Sequence, residues 1–432
     1  MSQPAPAAPR WWFTTMNHTE RRTFWACFAG WGLDALDVQF FSLVVPTLLG
    51  VHFLGDKSEA GLIATVTLLS SALGGWIAGA LADRVGRVRM LQVTVAWFAV
   101  FTLLCGFAQN GTQLLIFRAL MGFGFGGEWA VGAVLAAETI RARYRGRAVG
   151  TVQSAWAVGW AVAVGVFLLV ASFTPPSLTW RIVFFVGVLP AVLAFVLRRY
   201  VPEPTVAARA TGPSGRSTVR DALVIFGPGL WRRTLLCALL ATGAQGGYYA
   251  LTTWLPQFLV ARRGLALLAL GGTLAIVIVG AFVGYLTGAW LADRIGRRRT
   301  LILTSVLAFV IVIPFVTVDF PTPVFDVLAF PLGFVSSAYF SAIGPLFSEQ
   351  FPTAVRGSGQ GFTYNFGRGI GAAFPVLVGV LADRIGISVA IAVFAGIAYA
   401  LMAVSAMVLR EATGVSLDQI EAEPAPSAEP AS

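Results

Sequence analysis

The sequence is poor in charge: only 12% of its 432 residues are Asp, Glu, Lys or Arg, about half the share of an ordinary soluble domain. That argues against a water-soluble globule. Lys57 is the only lysine, and every other member of the 30 basic residues is arginine. The two histidines, His18 and His52, flank an apolar run and do not lie inside one, so a histidine proton relay or metal site has no material here. Three cysteines, Cys27, Cys105 and Cys237, stand singly in apolar surroundings with no C-x-x-C spacing. A zinc ribbon, an Fe–S cluster and a disulfide scaffold are thereby excluded. No G-x-x-x-x-G-K-[ST] loop is present, which excludes nucleotide-driven pumping. Nor does any buried nucleophile–base pair or acid cluster suit a membrane-embedded enzyme. No cofactor is expected, and the energy source implied is an ion gradient.

What the chain has in abundance is apolar length. Hydrophobic residues make up 57% of it. Stretches able to cross a bilayer, which needs roughly 20 residues, fall at 24–50, 60–82, 90–108, 113–137, 148–171 and 180–197, then at 233–259, 266–292, 300–317, 325–347, 358–382 and 387–409. Backbone groups in lipid must be satisfied within the segment, and the runs lack the period-2 alternation of barrel strands, so each is predicted to be a helix. The expected fold is an all-α polytopic membrane protein of 12 transmembrane helices in two six-helix bundles. Residues 1–23 form an N-terminal segment, 24–197 the first bundle, 198–232 a Pro-, Gly- and Arg-containing linker, 233–409 the second bundle and 410–432 a tail expected to be disordered. The first span has no small-residue cleavage site behind it and is expected to be retained.

The formal net charge of +10 would suggest nucleic acid in a soluble protein, but its distribution points elsewhere. On the side of the N-terminus the loops and flanks carry 23 basic residues, against five on the opposite side: Lys57, Arg181, Arg262, Arg263 and Arg384. Such a bias sets both termini in the cytoplasm and makes the bilayer, not nucleic acid, the partner of the charge.

The chain repeats itself. Leu81-Ala82-Asp83-Arg84-Val85-Gly86-Arg87 returns as Leu291-Ala292-Asp293-Arg294-Ile295-Gly296-Arg297, and Glu138 followed by Arg145-Gly146 returns as Glu349 followed by Arg356-Gly357. Two motifs recurring at nearly one offset indicate duplicated, pseudo-symmetric halves. A partial third copy, Leu381-Ala382-Asp383-Arg384-Ile385-Gly386, ends the eleventh span on the other face.

This pattern resembles the major facilitator superfamily over about residues 20–410. Arg118 to Trp129, with Gly122, Gly124, Gly126 and Gly127, is similar to the superfamily's fourth-helix signature. The Gly127-Glu128-Trp129 end of it, together with Asp34-Ala35-Leu36-Asp37, is similar to proton-coupled carboxylate symporters of the sialate, lactate, aromatic-acid and metabolite families. Those families place a glycine between the two acids where this chain has Ala35-Leu36. The resemblance implies a rocker-switch carrier in the plasma (inner) membrane, acting as a monomer. It also implies a gating latch from Asp83, Arg84, Arg87, Asp293, Arg294 and Arg297, with Glu138, Arg145, Glu349 and Arg356 as a second layer.

Five ionisable residues lie at bilayer depth, where each costs about 2.5–3.5 kcal/mol on insertion scales and is therefore a functional candidate. Asp34 and Asp37 share a helix face, and with Glu128 and Arg368 they fall about 15 Å from the inner surface at 1.5 Å per residue. Arg118 is expected nearer the outer surface. The planar guanidinium fork of Arg368 matches a carboxylate, while Asp34, Asp37 and Glu128, with Arg118, are candidates for the proton. An alternative is that Arg368 pairs permanently with an acid and only orients helices. Gln245, Tyr248 and Tyr249, on a helix that lines the cavity in relatives, and Asn365 are further candidate substrate contacts. The small residues from Gly122 to Gly126 are expected to serve helix packing. Together these point to proton-coupled import of a small organic anion. The competing expectation is a porter of a neutral solute, or a drug exporter, of the same superfamily.

Overall fold

The computed structural model describes residues 12–141, 148, 150–198, 224–352 and 355–410. Within its helices, the side chains of residues 79–80, 82–84, 87, 127–138, 190–191, 193–198, 267 and 357 fall outside the description. Most of the linker and the tail, Arg145, and the side chains of Asp83, Arg84, Arg87, Glu128 and Glu138 therefore lie outside it as well.

The first half consists of α1 (His18–Gly50), α2 (Lys57–Val85), α3 (Arg87–Phe107), α4 (Gly111–Thr139), α5 (Ala155–Phe173) and α6 (Pro176–Arg198). The second comprises α7 (Trp231–Thr252), α8 (Leu255–Arg263), α9 (Leu267–Ile295), α10 (Arg297–Thr317), α11 (Thr322–Ala338), α12 (Phe340–Gln350), α13 (Arg356–Gly371), α14 (Ala373–Ile385) and α15 (Ile387–Val408). Nine helical stretches among the described residues are long and apolar enough to cross a membrane. With α4, α6 and the α7–α8 pair, they make the twelve crossings.

Local chemistry sets where several helices begin and turn. α1 starts at His18, ahead of the expected residue 24, because Asn17 and Glu20 form a reciprocal capping box of 2.8 and 2.9 Å. The buried Glu20 carboxylate also accepts from the backbone N and guanidinium of Arg141 at 2.8–3.0 Å, tying the start of α1 to the end of α4. Each copy of the Leu-Ala-Asp-Arg-x-Gly motif ends a helix, and its glycine is the single residue before the next one. Gly86, Gly296 and Gly386 have φ of 104°, 97° and 89°, a region that side chains with a Cβ avoid. The repeat is thus a turn as well as a charge pattern.

The duplication is visible in the packing. α2 lies on α4 as α9 lies on α11; α3 on α6 as α10 on α15; α1 on α5 as α7 on α13. The α2–α4 crossing depends on small residues: a Cβ on Gly126 would overlap the carbonyl oxygen of Ser71. Close backbone approach is the expected use of such a position.

The halves differ in one respect. In the first half only the fifth crossing is broken among the described residues, at Ser154; in the second, three crossings that were expected to be continuous are broken, between α7 and α8, between α11 and α12 at Tyr339, and between α13 and α14 at Ala372. Two breaks follow from proline, whose ring clashes with the carbonyl four residues back: Pro256 opposes Thr252, and Pro375 opposes Gly371. The Tyr339 break has no proline at that distance. All three lie next to residues that face the other half.

Candidate functional site

Between the halves is a small cavity, bounded on the first half by Trp31 of α1 and by Gln153 and Trp156 at the start of the fifth crossing. The second half contributes Gln245, Tyr248, Tyr249, Tyr285, Phe340, Tyr364 and Arg368. Aromatic rings form most of the wall. Trp31 and Trp156 sit 4.9 Å apart, centroid to centroid, and Tyr248 meets Phe340 edge-on at 5.4 Å. The Trp156 indole donates to the Tyr248 hydroxyl at 2.6 Å, a polar link from one half to the other.

Arg368 is the charged member of this lining. It is 1% exposed and occupies the last turn of α13, where the partial negative charge of a helix C-terminus favours a cation. Its guanidinium lies 5.3 Å from the Phe125 ring and 5.5 Å from the Tyr364 ring, both within cation–π range. Nε donates to Gln245 Oε1 at 3.4 Å. Gln245 is held in turn by its Nε2, which donates to the Tyr364 carbonyl at 2.9 Å, and by the Tyr249 hydroxyl at 3.4 Å. Arg368 Nη1 is buried without a hydrogen-bond partner. Among the described residues no carboxylate lies within ion-pair distance of Arg368. Asp34, buried on α1, acts on Arg368 and on Tyr249 through its charge.

Asp37 has different company. Its Oδ2 accepts from Arg118 Nη1 at 2.6 Å, and both side chains are 2% exposed. The Arg118 guanidinium stands over the Phe41 ring at 4.8 Å and touches the Met121 sulfur. Arg118, on α4, thus has a partner that the sequence did not assign to it, because α4 lies beside α1. The two aspartates, expected as equivalents, separate into one facing Arg368 and one bound to Arg118.

Of the other expected contacts, Tyr248, Tyr249 and Gln245 border the cavity, Gln245 chiefly as a holder of Arg368. Asn365 is turned away. Its Nδ2 donates to the Gly361 carbonyl, and its Oδ1 faces Gly75 of α2, so it belongs to the contact between halves. Trp31, Gln153, Trp156, Tyr285, Phe340 and Tyr364 were not singled out by sequence. A tyrosine or glutamine amid an apolar run, such as Gln153 or Tyr285, is the signal that could have found two of them.

The halves also meet on both sides of the cavity. Toward the face that carries the N-terminus, Trp76 stacks on Phe362 at 6.4 Å. On the opposite face Lys57 Nζ bonds Asp383 Oδ1 at 2.9 Å, while Asp383 Oδ2 accepts from the backbone N of Ser58 at 3.2 Å. The third copy of the repeated motif thus caps α2 across the seam. Among the expected latch residues, Arg297 lies 3.2 Å from Glu349 and 3.9 Å from Asp293. Arg356 donates to the Ser348 carbonyl at 2.9 Å, and Arg294 stands 5.2 Å from the Trp290 ring. These contacts all stay within the second half.

Residues 27–375 match the family model described as Major Facilitator Superfamily. The chain belongs to that superfamily and is a membrane solute transporter, not an enzyme. It is 42% identical to a protein named "Probable 4-methylmuconolactone transporter" from Cupriavidus pinatubonensis, over 98% of this chain and 99% of the relative. Two proteins of Acinetobacter baylyi are also similar: the niacin transporter NiaP, 31% identical over 82% of this chain and 85% of its own length, and a cis,cis-muconate transport protein, 28% identical over 85% and 89%.

Proposed function

We propose that the protein imports a small organic anion, a carboxylate, together with a proton by alternating access. The observation that carries this reading is Arg368: a buried guanidinium on a cavity between the halves, with Nη1 unpartnered and no described carboxylate within ion-pair distance. A buried guanidinium nitrogen without an acceptor is costly, and a substrate carboxylate in that fork supplies one. The relatives named for small organic acids support the same class.

Coupling follows from charge balance. In the empty carrier Asp34 faces the cation of Arg368. A substrate carboxylate bound there cancels that cation, and a proton on Asp34 restores neutrality. Asp37 and Arg118 form a second switchable pair: a proton on Asp37 removes the attraction that joins α1 to α4. Both acids act from the first half while the substrate is held by the second, so protonation and binding bear on how the halves fit. The 23-to-5 distribution of basic residues supports cytoplasmic termini and insertion in the inner membrane. A site completed by two halves of one chain supports a functional monomer.

The test is uptake of labelled benzoate, nicotinate, lactate and sialate into proteoliposomes by wild type, Arg368→Lys and Arg368→Gln. Loss of anion uptake in both variants is expected; unchanged uptake overturns the carboxylate reading and favours a neutral solute or drug. A proton-uptake measurement on Asp34→Asn and Asp37→Asn locates the coupling acid. Persistent coupling in the double variant removes both from the role.

A further inference from the structure

We propose that the cavity selects a planar monocarboxylate whose far end carries a neutral hydrogen-bonding group, and that Gln153 is the residue that reads that group. This rests on the assignment of the carboxylate to Arg368.

The first argument is a count of charge. Among the described residues Arg368 is the one charged residue bordering the cavity, and the rest of the lining is aromatic rings, tyrosine hydroxyls and two amides. Arg118, the other buried arginine, is bound to Asp37 and does not border the cavity. One guanidinium fork satisfies one carboxylate. A second carboxylate on the same ligand would leave water for a site whose described lining offers it neutral dipoles only. An ion buried on those terms is strongly disfavoured.

The second argument compares the two glutamines. Gln245 is fully engaged, with Nε2 on the Tyr364 carbonyl and Oε1 shared by Arg368 and Tyr249. The Trp156 indole is likewise spent on Tyr248. Gln153 is only 7% exposed, yet its Oε1 is buried with no hydrogen-bond partner. A buried amide oxygen in that condition costs free energy until a donor reaches it. Its backbone is fixed by the turn that follows, where the Ser154 hydroxyl donates to the Thr151 carbonyl at 2.7 Å. Because the unpartnered atom is an acceptor, a substrate hydroxyl or ring N–H is the group that meets it.

Shape completes the case. Gln153 belongs to the first half and Arg368 to the second, so a ligand that reaches both bridges the seam. The same cavity is walled by Trp31 and Trp156, tilted to each other by 51°, and by the edge-on pair of Tyr248 and Phe340, aromatic surface on which a flat ring packs.

The experiment is inhibition of labelled benzoate uptake in proteoliposomes by benzoate, 3-hydroxybenzoate, 4-hydroxybenzoate and terephthalate, for wild type, Gln153→Leu and Gln153→Met. In wild type the better hydroxybenzoate is expected to inhibit roughly tenfold more strongly than benzoate, the discrimination of about one neutral hydrogen bond. Terephthalate is expected to be weaker than benzoate. In both Gln153 variants the hydroxyl advantage disappears, read as the ratio of the benzoate to the hydroxybenzoate inhibition constant falling from about ten to about one. An equal loss for benzoate and hydroxybenzoate makes Gln153 merely structural and overturns its role. Terephthalate inhibiting as well as hydroxybenzoate overturns the monoanion selectivity. No inhibition by any of the four, with Arg368→Gln indistinguishable from wild type, removes the anion reading itself. The Met variant keeps the side-chain volume, so a folding defect in the Leu variant does not obscure the result.

Discussion

Arg118 and Arg368 are two buried arginines, one in each half, with opposite company. The first is bonded to Asp37 at 2.6 Å in a pair that is 2% exposed on both sides. The second is turned to a cavity, steadied by an amide and two rings, and keeps one nitrogen without a partner. Residue type and burial are the same; what differs is whether a described carboxylate of the protein bonds the guanidinium directly. A guanidinium bonded from within joins helices, and one left for an incoming anion is what the proposed binding site requires.

The contrast can be broken by mutation. Arg118→Ala strands the Asp37 carboxylate in the interior and is expected to destabilise the first half by about 3–5 kcal/mol, read as a lower thermal midpoint in detergent. Adding Asp37→Asn should recover more than half of that loss, and a double variant no better than the single one would refute the pair's structural weight. Arg368→Gln is expected to leave the thermal midpoint close to wild type while lowering anion uptake, as kcat/KM, about 100-fold, or ~2.7 kcal/mol at 1.4 kcal/mol per decade. If the midpoint falls as far as in Arg118→Ala, the two arginines are alike after all.

An exposed pair calibrates the buried ones. Lys57 and Asp383 keep 29% and 30% of their side-chain surface in solvent, so Asp383→Asn should cost roughly 1 kcal/mol or less, fading as salt is raised. The smallest effect belongs to Asp56, which caps α2 by accepting from the Glu59 backbone N at 2.8 Å. That bond, with help from the Ser58 hydroxyl and backbone and from Lys57, holds its carboxyl below the ordinary 3.8 despite some desolvation. Stability from the cap is present above the ordinary carboxylate range and is lost as pH falls through the depressed value. Asp56→Ala is expected to cost about 0.5 kcal/mol at neutral pH, shrinking to nothing under acid in a thermal-melt series.

Much of this was legible in the sequence. Apolar length fixed the number of crossings, and the two repeated motifs exposed the duplication, because both signals are local. The ionisable residues at depth stood out for the same reason: few charges are tolerated there. Helix counting could not choose between Asp34 and Asp37, since a three-residue offset puts both on one face, and only the placement of α4 beside α1 separates them. The breaks after Thr252 and Gly371 were foreshadowed by Pro256 and Pro375, whereas the break at Tyr339 was not. The aromatic wall was hidden for a different reason. Trp31, Trp156 and Phe340 are ordinary packing residues in their own helices and become a site only when distant crossings meet.

Lys57 closes the seam on the face opposite the N-terminus, and it carries the chain's only ε-amine. Apart from any terminal amine, an acylating reagent therefore finds one nucleophile of its kind on this protein, and finds it engaged by Asp383 while the seam is shut. The speed at which that single nitrogen is modified becomes a clock for how often the two halves part there, with no engineered label.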